Sequence, residues 1–220
     1  MPPNPHLLPA VARWGADEAD APLVVLALHG RDQDPAFVQG IAERIDLPEL
    51  AWRLPAADAR SWYPLSFLAP VADNEPRLSY ALEAVAVRRA ELAAAGVGRE
   101  RLVLLGFSQG AVVLAEHLVR TAEPCAGAIL LTGGHVGPPG SPRTAEGDLR
   151  GTPVLLGSAE ADPLVPIARV RETAALLEAM GARVELEVYD DLEHLVSDAA
   201  VASTRRLLLR LLSRTPARGR

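Results

Sequence analysis

The stretch that most constrains the fold runs from residue 101 to residue 113 and reads RLVLLGFSQGAVV. An apolar run leads into Ser108, which has Gly106 and Gly110 two positions before and after it, and a helical pattern follows. A strand that turns sharply into a helix holds such a serine on a strained turn, with its hydroxyl clear of the sheet. The flanking positions must be small because the two backbones pass close together there. The stretch therefore predicts a strand, a nucleophile elbow and a helix.

Strand-sized apolar runs alternate with helical patterns along the rest of the chain. Continuous apolar runs are typical of strands covered on both faces, and their alternation with helices is typical of a mostly parallel sheet. We therefore predict an α/β fold with a mostly parallel central sheet, helices on both faces and no large lid or cap domain. Besides the elbow, the predicted strands are 7–14 (an edge strand), 23–28, 50–54, 126–132, 153–157 and 184–189, and the predicted helices are 35–45, 73–96, 166–180 and 197–214.

The composition is typical of one globular domain. The chain has 220 residues, of which 49% are hydrophobic and 23% charged, so we predict a single domain over 1–220, with a core of about 7–214 and a disordered tail at 215–220. The net charge of −6 gives a phosphate backbone no electrostatic attraction, so we expect no nucleic-acid partner.

Targeting signals and cysteine usage bound the compartment. The N-terminus lacks a basic start followed by an apolar run, and the longest apolar stretches fall short of the roughly 20 residues of a membrane span. The chain has one cysteine, Cys125, so it cannot form an intrachain disulfide or a Cys-based metal cluster. We therefore expect a cytoplasmic protein with no stable membrane insertion.

A serine hydroxyl is a weak nucleophile, so Ser108 needs a base, and that base needs an orienting acid. Behind an elbow of this kind the chain order is serine, then acid, then histidine. His194 is the histidine that follows the last predicted strand, in a loop at the same sheet edge as Ser108. The other histidines come too early in the chain for that order; they are His6, His29, His117 and His135.

Asp162 is the predicted acid. It lies in the loop after the penultimate strand, where Pro163 restrains the backbone. Its alternative role is to cap the following helix. Glu160 is the competing acid, and Asp190 or Asp191 are weaker candidates because they share the loop of the histidine.

Two further groups of residues are predicted around the serine. The backbone N–H groups of Gln109 and Arg31 are the expected oxyanion donors, and His29 is interpreted as a residue that braces its loop. An aromatic loop at 61–70, together with the loop 133–142, is expected to wall the pocket. In the 61–70 loop, the side chains of Trp62, Tyr63 and Phe67 are predicted to offer apolar surface to an acyl chain or ring. The alternative is that they form a hydrophobic plug beneath the loop.

The sequence resembles the phospholipase/carboxylesterase family of α/β-hydrolases, which is related to acyl-protein thioesterases and dienelactone hydrolases. The matching segments extend from about residue 23 to residue 195 and occur in the family order. They are Leu28-His29-Gly30-Arg31, Ser61-Trp62-Tyr63-Pro64, Gly106-Phe107-Ser108-Gln109-Gly110-Ala111, Asp162-Pro163-Leu164-Val165-Pro166 and His194. The residue at the position of Arg31 is frequently apolar among the thioesterases. The arginine therefore argues against a thioesterase more strongly than it argues against a hydrolase.

The resemblance implies a serine carboxylesterase that hydrolyses small to medium acyl esters through Ser108, His194, Asp162 and an acyl-enzyme, with no cofactor and no metal. Lysophospholipid or acyl-thioester hydrolysis is the alternative within the class. A catalytically idle ligand receptor is the alternative from a different class. The family also makes a homodimer an expectation.

Overall fold

A computed structural model describes residues 3–141, 143–190 and 193–214 of the chain. Seven strands and five α-helices form its framework, and their order confirms the predicted alternation. The strands are β1 (Ala12–Gly15), β2 (Val24–Leu28), β3 (Ala51–Leu54), β4 (Leu102–Phe107), β5 (Gly127–Leu131), β6 (Pro153–Ala159) and β7 (Arg183–Tyr189). The helices are α1 (Pro35–Ile45), α2 (Arg77–Ala94), α3 (Gln109–Thr121), α4 (Ile167–Ala179) and α5 (Asp198–Leu212).

The strands form one sheet in the order β1-β3-β2-β4-β5-β6-β7. All neighbours pair in parallel except β1, which runs antiparallel along β3 at the edge, with Ala12 opposite Leu54. The carboxyl ends of the parallel strands meet at one edge of a sheet. The loops after β2, β4, β6 and β7 therefore lie near each other, although they span most of the chain.

Alternate side chains of the buried strands pack under helices on the two faces. Val24, Leu26 and Leu28 of β2 belong to the core beneath α2, α3 and α4. Val25 and Ala27 belong to the core beneath α1 and α5. This double coverage explains why the strands read as unbroken apolar runs rather than as alternating ones. The two longest connections are 55–76 and 132–152, and in the described residues neither contains an inserted cap domain.

Two predicted boundaries differ from the observed ones by more than two residues. The predicted edge strand at 7–14 shrinks to β1, because Asn4 caps a 3-10 turn at Pro5–Leu7 that buries His6. The predicted helix start at 73 moves to Arg77. There the Asn74 side chain bonds to the 61–70 loop instead of capping the helix, accepting from the N–H of Leu65 and donating to the carbonyl of Ser66.

Among the helices that the structure describes, none combines the length and the apolarity that crossing a membrane requires. The predicted tail at 215–220 lies outside the described residues.

Candidate active site

Ser108 lies on a strained turn between β4 and α3. Its backbone angles are φ 52° and ψ −119°, a region that residues with a side chain rarely adopt. Its N–H donates to the carbonyl of Leu131 at 2.9 Å, which ties the turn to β5. A Cβ at Gly106 would lie 2.5 Å from the backbone nitrogen of Ala111, and one at Gly110 would lie 2.3 Å from the Leu28 carbonyl oxygen. The predicted elbow is therefore present, and its close approach does require the two glycines.

The structure brings Ser108, His194 and Asp162 together across three loops. The Ser108 hydroxyl oxygen lies 2.7 Å from Nε2 of His194, and Nδ1 of His194 lies 2.8 Å from Oδ2 of Asp162. The Asp162 side chain is fully buried, and that of His194 is 15% exposed. With Nδ1 donating to the carboxylate, Nε2 is left as an acceptor for the serine proton.

Asp162 also holds its own loop in place. Its second oxygen, Oδ1, accepts the N–H groups of Leu164 at 2.8 Å and Val165 at 2.9 Å. The carboxylate therefore braces the turn before α4, while Pro166 occupies the cap position of that helix without a side-chain cap. The competing Glu160 is half-exposed and forms a surface ion pair with Arg171 at 3.0 Å, whereas Asp191 lies outside the described residues.

The two predicted oxyanion donors border the serine. Gln109 is the first residue of α3, so its N–H has no carbonyl to bond within the helix and points out of the helix end. The segment that leads to Arg31 passes close by, because a Cβ at Gly30 would lie 3.2 Å from the Cβ of Ser108. The Gln33 side chain accepts the N–H of Gly30 at 2.8 Å, which fixes the turn.

The side chain of Gln109 has a role that the sequence reasoning missed. Its Oε1 accepts the N–H of Trp62 at 2.8 Å, and its Nε2 donates to the Tyr63 carbonyl at 2.7 Å. Both contacts are buried. The residue after the serine therefore holds the aromatic loop against the start of α3. The sequence offers one signal for this role, which is the position of Gln109 between the serine and the glycine of the elbow. That position does not indicate which residues the side chain contacts.

The Arg31 side chain holds the same loop from the outside. Its guanidinium donates to the carbonyls of Tyr63 at 3.1 Å, Pro64 at 2.6 Å and Leu65 at 2.6 Å, and lies 5.9 Å from the centre of the Tyr63 ring. These donors are occupied by the protein itself.

His29 braces its loop. One ring nitrogen, Nε2, accepts the N–H of Ala57 at 3.0 Å, and Nδ1 lies 2.7 Å from the Gly30 carbonyl. Burial lowers the pKa of His29, so the neutral ring that these contacts need is favoured. Trp62 packs beside it and donates its indole N–H to the His29 carbonyl at 2.9 Å.

A cavity of about 380 Å³ opens beside Ser108. Tyr63 and Phe67 line it, together with Val112 of α3 and Leu164 of the Asp162 loop. Trp62 is not among its lining residues: the ring is fully buried, with centroid distances of 5.3 Å to His6 and 5.2 Å to His29. Of the three predicted aromatic residues, two face this cavity and the third supports the loop from behind.

The loop 133–142 supports the cavity wall rather than lining it in its described part. The N–H of Gly137 donates to the Phe67 carbonyl at 2.8 Å. Beneath the loop, the fully buried Glu116 accepts from the N–H of Val136 at 3.1 Å and pairs with Arg120 and Arg143. Burial acts to raise the pKa of Glu116, but the two arginines outweigh it and hold the pKa below its usual range.

Among the side chains that the structure describes, no group of three or more His, Cys, Asp or Glu is placed to hold a metal ion.

Comparison with known proteins gives the family. Residues 20–209 match the model of the Phospholipase/Carboxylesterase family. The crystal structure of a phospholipase/carboxylesterase from Dyadobacter fermentans DSM 18053 is 35% identical, with 90% of this chain and 95% of that chain covered and a TM-score of 0.85.

Two further solved structures share the fold at lower identity. Esterase PE8 is 22% identical, with 91% of this chain and 97% of that chain covered and a TM-score of 0.75. A carboxylesterase from Mesorhizobium loti is 21% identical, with 87% and 91% covered and a TM-score of 0.70. The parallel sheet, the elbow and the family match agree, and the chain belongs to the phospholipase/carboxylesterase family of α/β-hydrolases.

Proposed function

We propose that the protein is a serine carboxylesterase that hydrolyses small to medium acyl esters through an acyl-enzyme. The observation that carries the proposal is the hydrogen-bonded series Ser108–His194–Asp162, at 2.7 Å and 2.8 Å, beside an apolar cavity. A nucleophile within hydrogen-bond reach of a base, with that base oriented by a buried acid, is the arrangement that acyl transfer needs.

Acylation begins when Nε2 of His194 accepts the proton of Ser108 as the hydroxyl oxygen attacks the ester carbonyl. Asp162 keeps Nδ1 protonated and stabilises the imidazolium that forms. The negative charge on the former carbonyl oxygen is held by the N–H groups of Arg31 and Gln109, each contributing about 3 kcal/mol to lowering the barrier. The imidazolium then protonates the leaving alcohol as the carbon–oxygen bond breaks.

Deacylation repeats these steps with water as the nucleophile. His194 removes a proton from the water, which attacks the acyl carbon, and then returns that proton to Ser108 as the acid leaves. Every side chain and N–H group used in acylation and deacylation belongs to this one chain.

The cavity beside Ser108 supports an acyl group of modest size as the substrate portion. Its apolar lining residues include Tyr63, Phe67, Val112 and Leu164. Such walls favour an uncharged hydrocarbon. Because the guanidinium of Arg31 already donates to three loop carbonyls, the proposal assigns it to shaping the wall and not to binding an anionic headgroup.

Labelling with a fluorophosphonate probe tests the proposal together with a panel of p-nitrophenyl esters of increasing acyl length. Wild-type protein should be labelled and should turn over the short and medium esters, whereas Ser108→Ala should do neither. A folded wild-type protein that resists the probe would favour the ligand-receptor alternative. Lysophospholipid and acyl-thioester in the same panel distinguish the alternatives within the class, since faster turnover of either would displace the carboxylesterase assignment.

A further inference from the structure

A second cavity, of about 450 Å³, lies on the other side of the catalytic histidine. Its lining includes His194, Leu195 and Val196 from the loop after β7, and Phe37 and Gly40 from α1. Ser108 lines the first cavity and not this one, whereas His194 lines this one and not the first. The Ser108–His194 hydrogen bond therefore lies between two apolar spaces.

Aromatic rings form the floor of this second space, which we call the histidine-side groove. The Phe107 ring is 5.1 Å from the His194 ring and 5.2 Å from the Phe37 ring, measured between centroids. Phe37 is half-buried and Leu195 is 38% exposed, so apolar surface is open to a ligand along the groove.

The charge at the edge of the groove is already neutralised. Arg44 lies there, but it donates to the Val196 carbonyl at 2.8 Å and pairs with Asp198 at 2.8 Å. The groove therefore favours an uncharged, apolar group over an anionic one.

Gly40 gives a second and independent observation. It lies in the middle of α1, where glycine is less favourable than alanine by about 0.5–1 kcal/mol. Its φ is not in the left-handed region, and apart from its own helix no atom lies within 4 Å of where a Cβ would stand. Neither the backbone conformation nor packing calls for glycine here. What the missing side chain does is leave the groove open.

The chemistry of ester cleavage says which part of a substrate belongs in which space. The carbonyl oxygen must face the N–H groups beside Ser108, and the leaving oxygen must come within about 2.6–3.2 Å of Nε2 of His194 to receive its proton. The acyl portion then extends into the cavity that Ser108 and Gln109 line, and the alcohol portion extends past His194.

We propose that the histidine-side groove is the subsite for the alcohol portion of the ester, that it selects uncharged aromatic or branched alcohols, and that Gly40 determines its capacity. The inference rests on the proposed esterase function. When the bond between the acyl carbon and the alcohol oxygen breaks, the electron pair stays on that oxygen. The proton held on Nε2 of His194 passes to it, and the free alcohol departs along the groove.

The test compares methyl butyrate with benzyl butyrate, which share an acyl group and differ in the alcohol. The ratio of their kcat/KM values is measured for wild type and for Gly40→Phe by titration of released acid. Filling the groove should lower the benzyl-to-methyl ratio by at least about tenfold, the scale of discrimination that an apolar pocket achieves. Gly40→Leu should lower it less.

Glu43→Phe is the matched control, because it places the same ring on an exposed position of the same helix that does not line the groove. Its ratio should stay within about twofold of the wild-type ratio, since surface changes away from a site have small effects. Ethyl acetate, butyrate and hexanoate form a second series, in which Gly40→Phe should leave the order of preference unchanged because the acyl cavity is separate.

The outcomes separate the two proposals. If wild type turns over both butyrates and Gly40→Phe, folded by circular dichroism, keeps the same ratio, the alcohol subsite is wrong and the esterase stands. If Gly40→Phe does not fold, Gly40→Leu decides by the same comparison. If wild type hydrolyses neither ester and takes no fluorophosphonate, the esterase proposal fails and the subsite fails with it.

Discussion

Ser108 occupies a backbone conformation that costs about 1–3 kcal/mol for a residue with a side chain. The surrounding contacts hold it there: its N–H bonds to Leu131, and its carbonyl accepts from Val112 at 3.0 Å. The strain places the hydroxyl 2.7 Å from His194. The turn thereby presents the hydroxyl at the carboxyl edge of the sheet.

At the same scale, Asp162→Asn should lower kcat by about 10³- to 10⁴-fold, because an amide cannot hold the histidine in the required tautomer or stabilise its charged form. Steady-state hydrolysis of p-nitrophenyl butyrate measures the loss. Glu160→Gln is the control: Glu160 pairs with Arg171 at the surface, and its replacement should leave kcat near wild type. Near-normal turnover in Asp162→Asn, with a loss in Glu160→Gln, would give the acid role to Glu160.

Gln109→Leu should destabilise the protein, because it leaves the N–H of Trp62 buried without its acceptor and removes one of the donors to the Tyr63 carbonyl. An orphaned buried N–H costs about 1–3 kcal/mol. Urea unfolding followed by tryptophan fluorescence measures the loss. Gln39→Leu removes a glutamine from an exposed helix pair with Glu43 and should change stability by no more than about 0.5 kcal/mol. Equal effects in the two variants would contradict the role assigned to the Gln109 side chain.

At the scale of elements, the elbow works because α3 packs unusually close to the strands. The backbone of Gly110 passes so near to β2 that a Cβ there would lie 2.3 Å from the Leu28 carbonyl oxygen and 2.7 Å from that of His29. The same approach brings the N-terminus of α3 beside the His29-Gly30 turn. The close packing of α3 against β2 therefore also sets the position of the proposed oxyanion donors.

Gly110→Ala and Gly40→Ala form a matched pair of helix substitutions. Gly110→Ala should destabilise the protein by about 1–3 kcal/mol, because backbone must shift to admit the methyl group. Gly40→Ala should stabilise it by about 0.5–1 kcal/mol, since its Cβ meets open space and alanine favours the helix. Thermal unfolding measures both. If Gly110→Ala left the stability unchanged, the elbow would tolerate a wider separation between α3 and β2.

At the scale of the whole molecule, several buried histidines couple stability to pH. His117 accepts from Arg89 at 3.2 Å, with the half-exposed Glu123 3.9 Å away. Burial, followed by the charge of Arg89, lowers the pKa of His117 from 6.5 to about 3. Burial likewise lowers the pKa of His6 and of His135 to about 4. The unfolded chain therefore binds protons below pH 6.5 that the folded protein does not.

The stability that these neutral histidines contribute should accordingly be fully present above pH 6.5. Below that pH, the free energy of unfolding should fall as the pH decreases toward 5. A group that stays neutral only in the folded state contributes up to about 1.4 kcal/mol per pH unit in that window. His117→Gln should reduce this slope, even if it lowers stability at pH 7.5. Urea unfolding at pH 7.5, 6.5, 5.8 and 5 measures it. If the free energy of unfolding changed with pH equally in wild type and His117→Gln, His117 would not contribute to the pH dependence.

Much of the fold followed from local patterns. The elbow, the parallel strands and α1 were predicted from apolar runs and turn residues, because periodicity and glycine placement report local burial and backbone shape directly. The edge strand and the start of α2 were misplaced, because the Asn4 side chain caps a 3-10 turn and the Asn74 side chain bonds to the 61–70 loop. The order of strand ends also sufficed to select Ser108, Asp162 and His194 as candidates, since parallel strands bring their carboxyl ends together.

What the sequence by itself determined is thus the kind of fold, the family and the three candidate side chains. The tertiary structure alone decided that Gln109 and Arg31 hold the aromatic loop, that Trp62 turns away from the cavity, and that a groove opens beside His194. These contacts join residues that are dozens of positions apart in the chain. Their partners depend on how loops close over the sheet, and no local pattern of polarity records that closure.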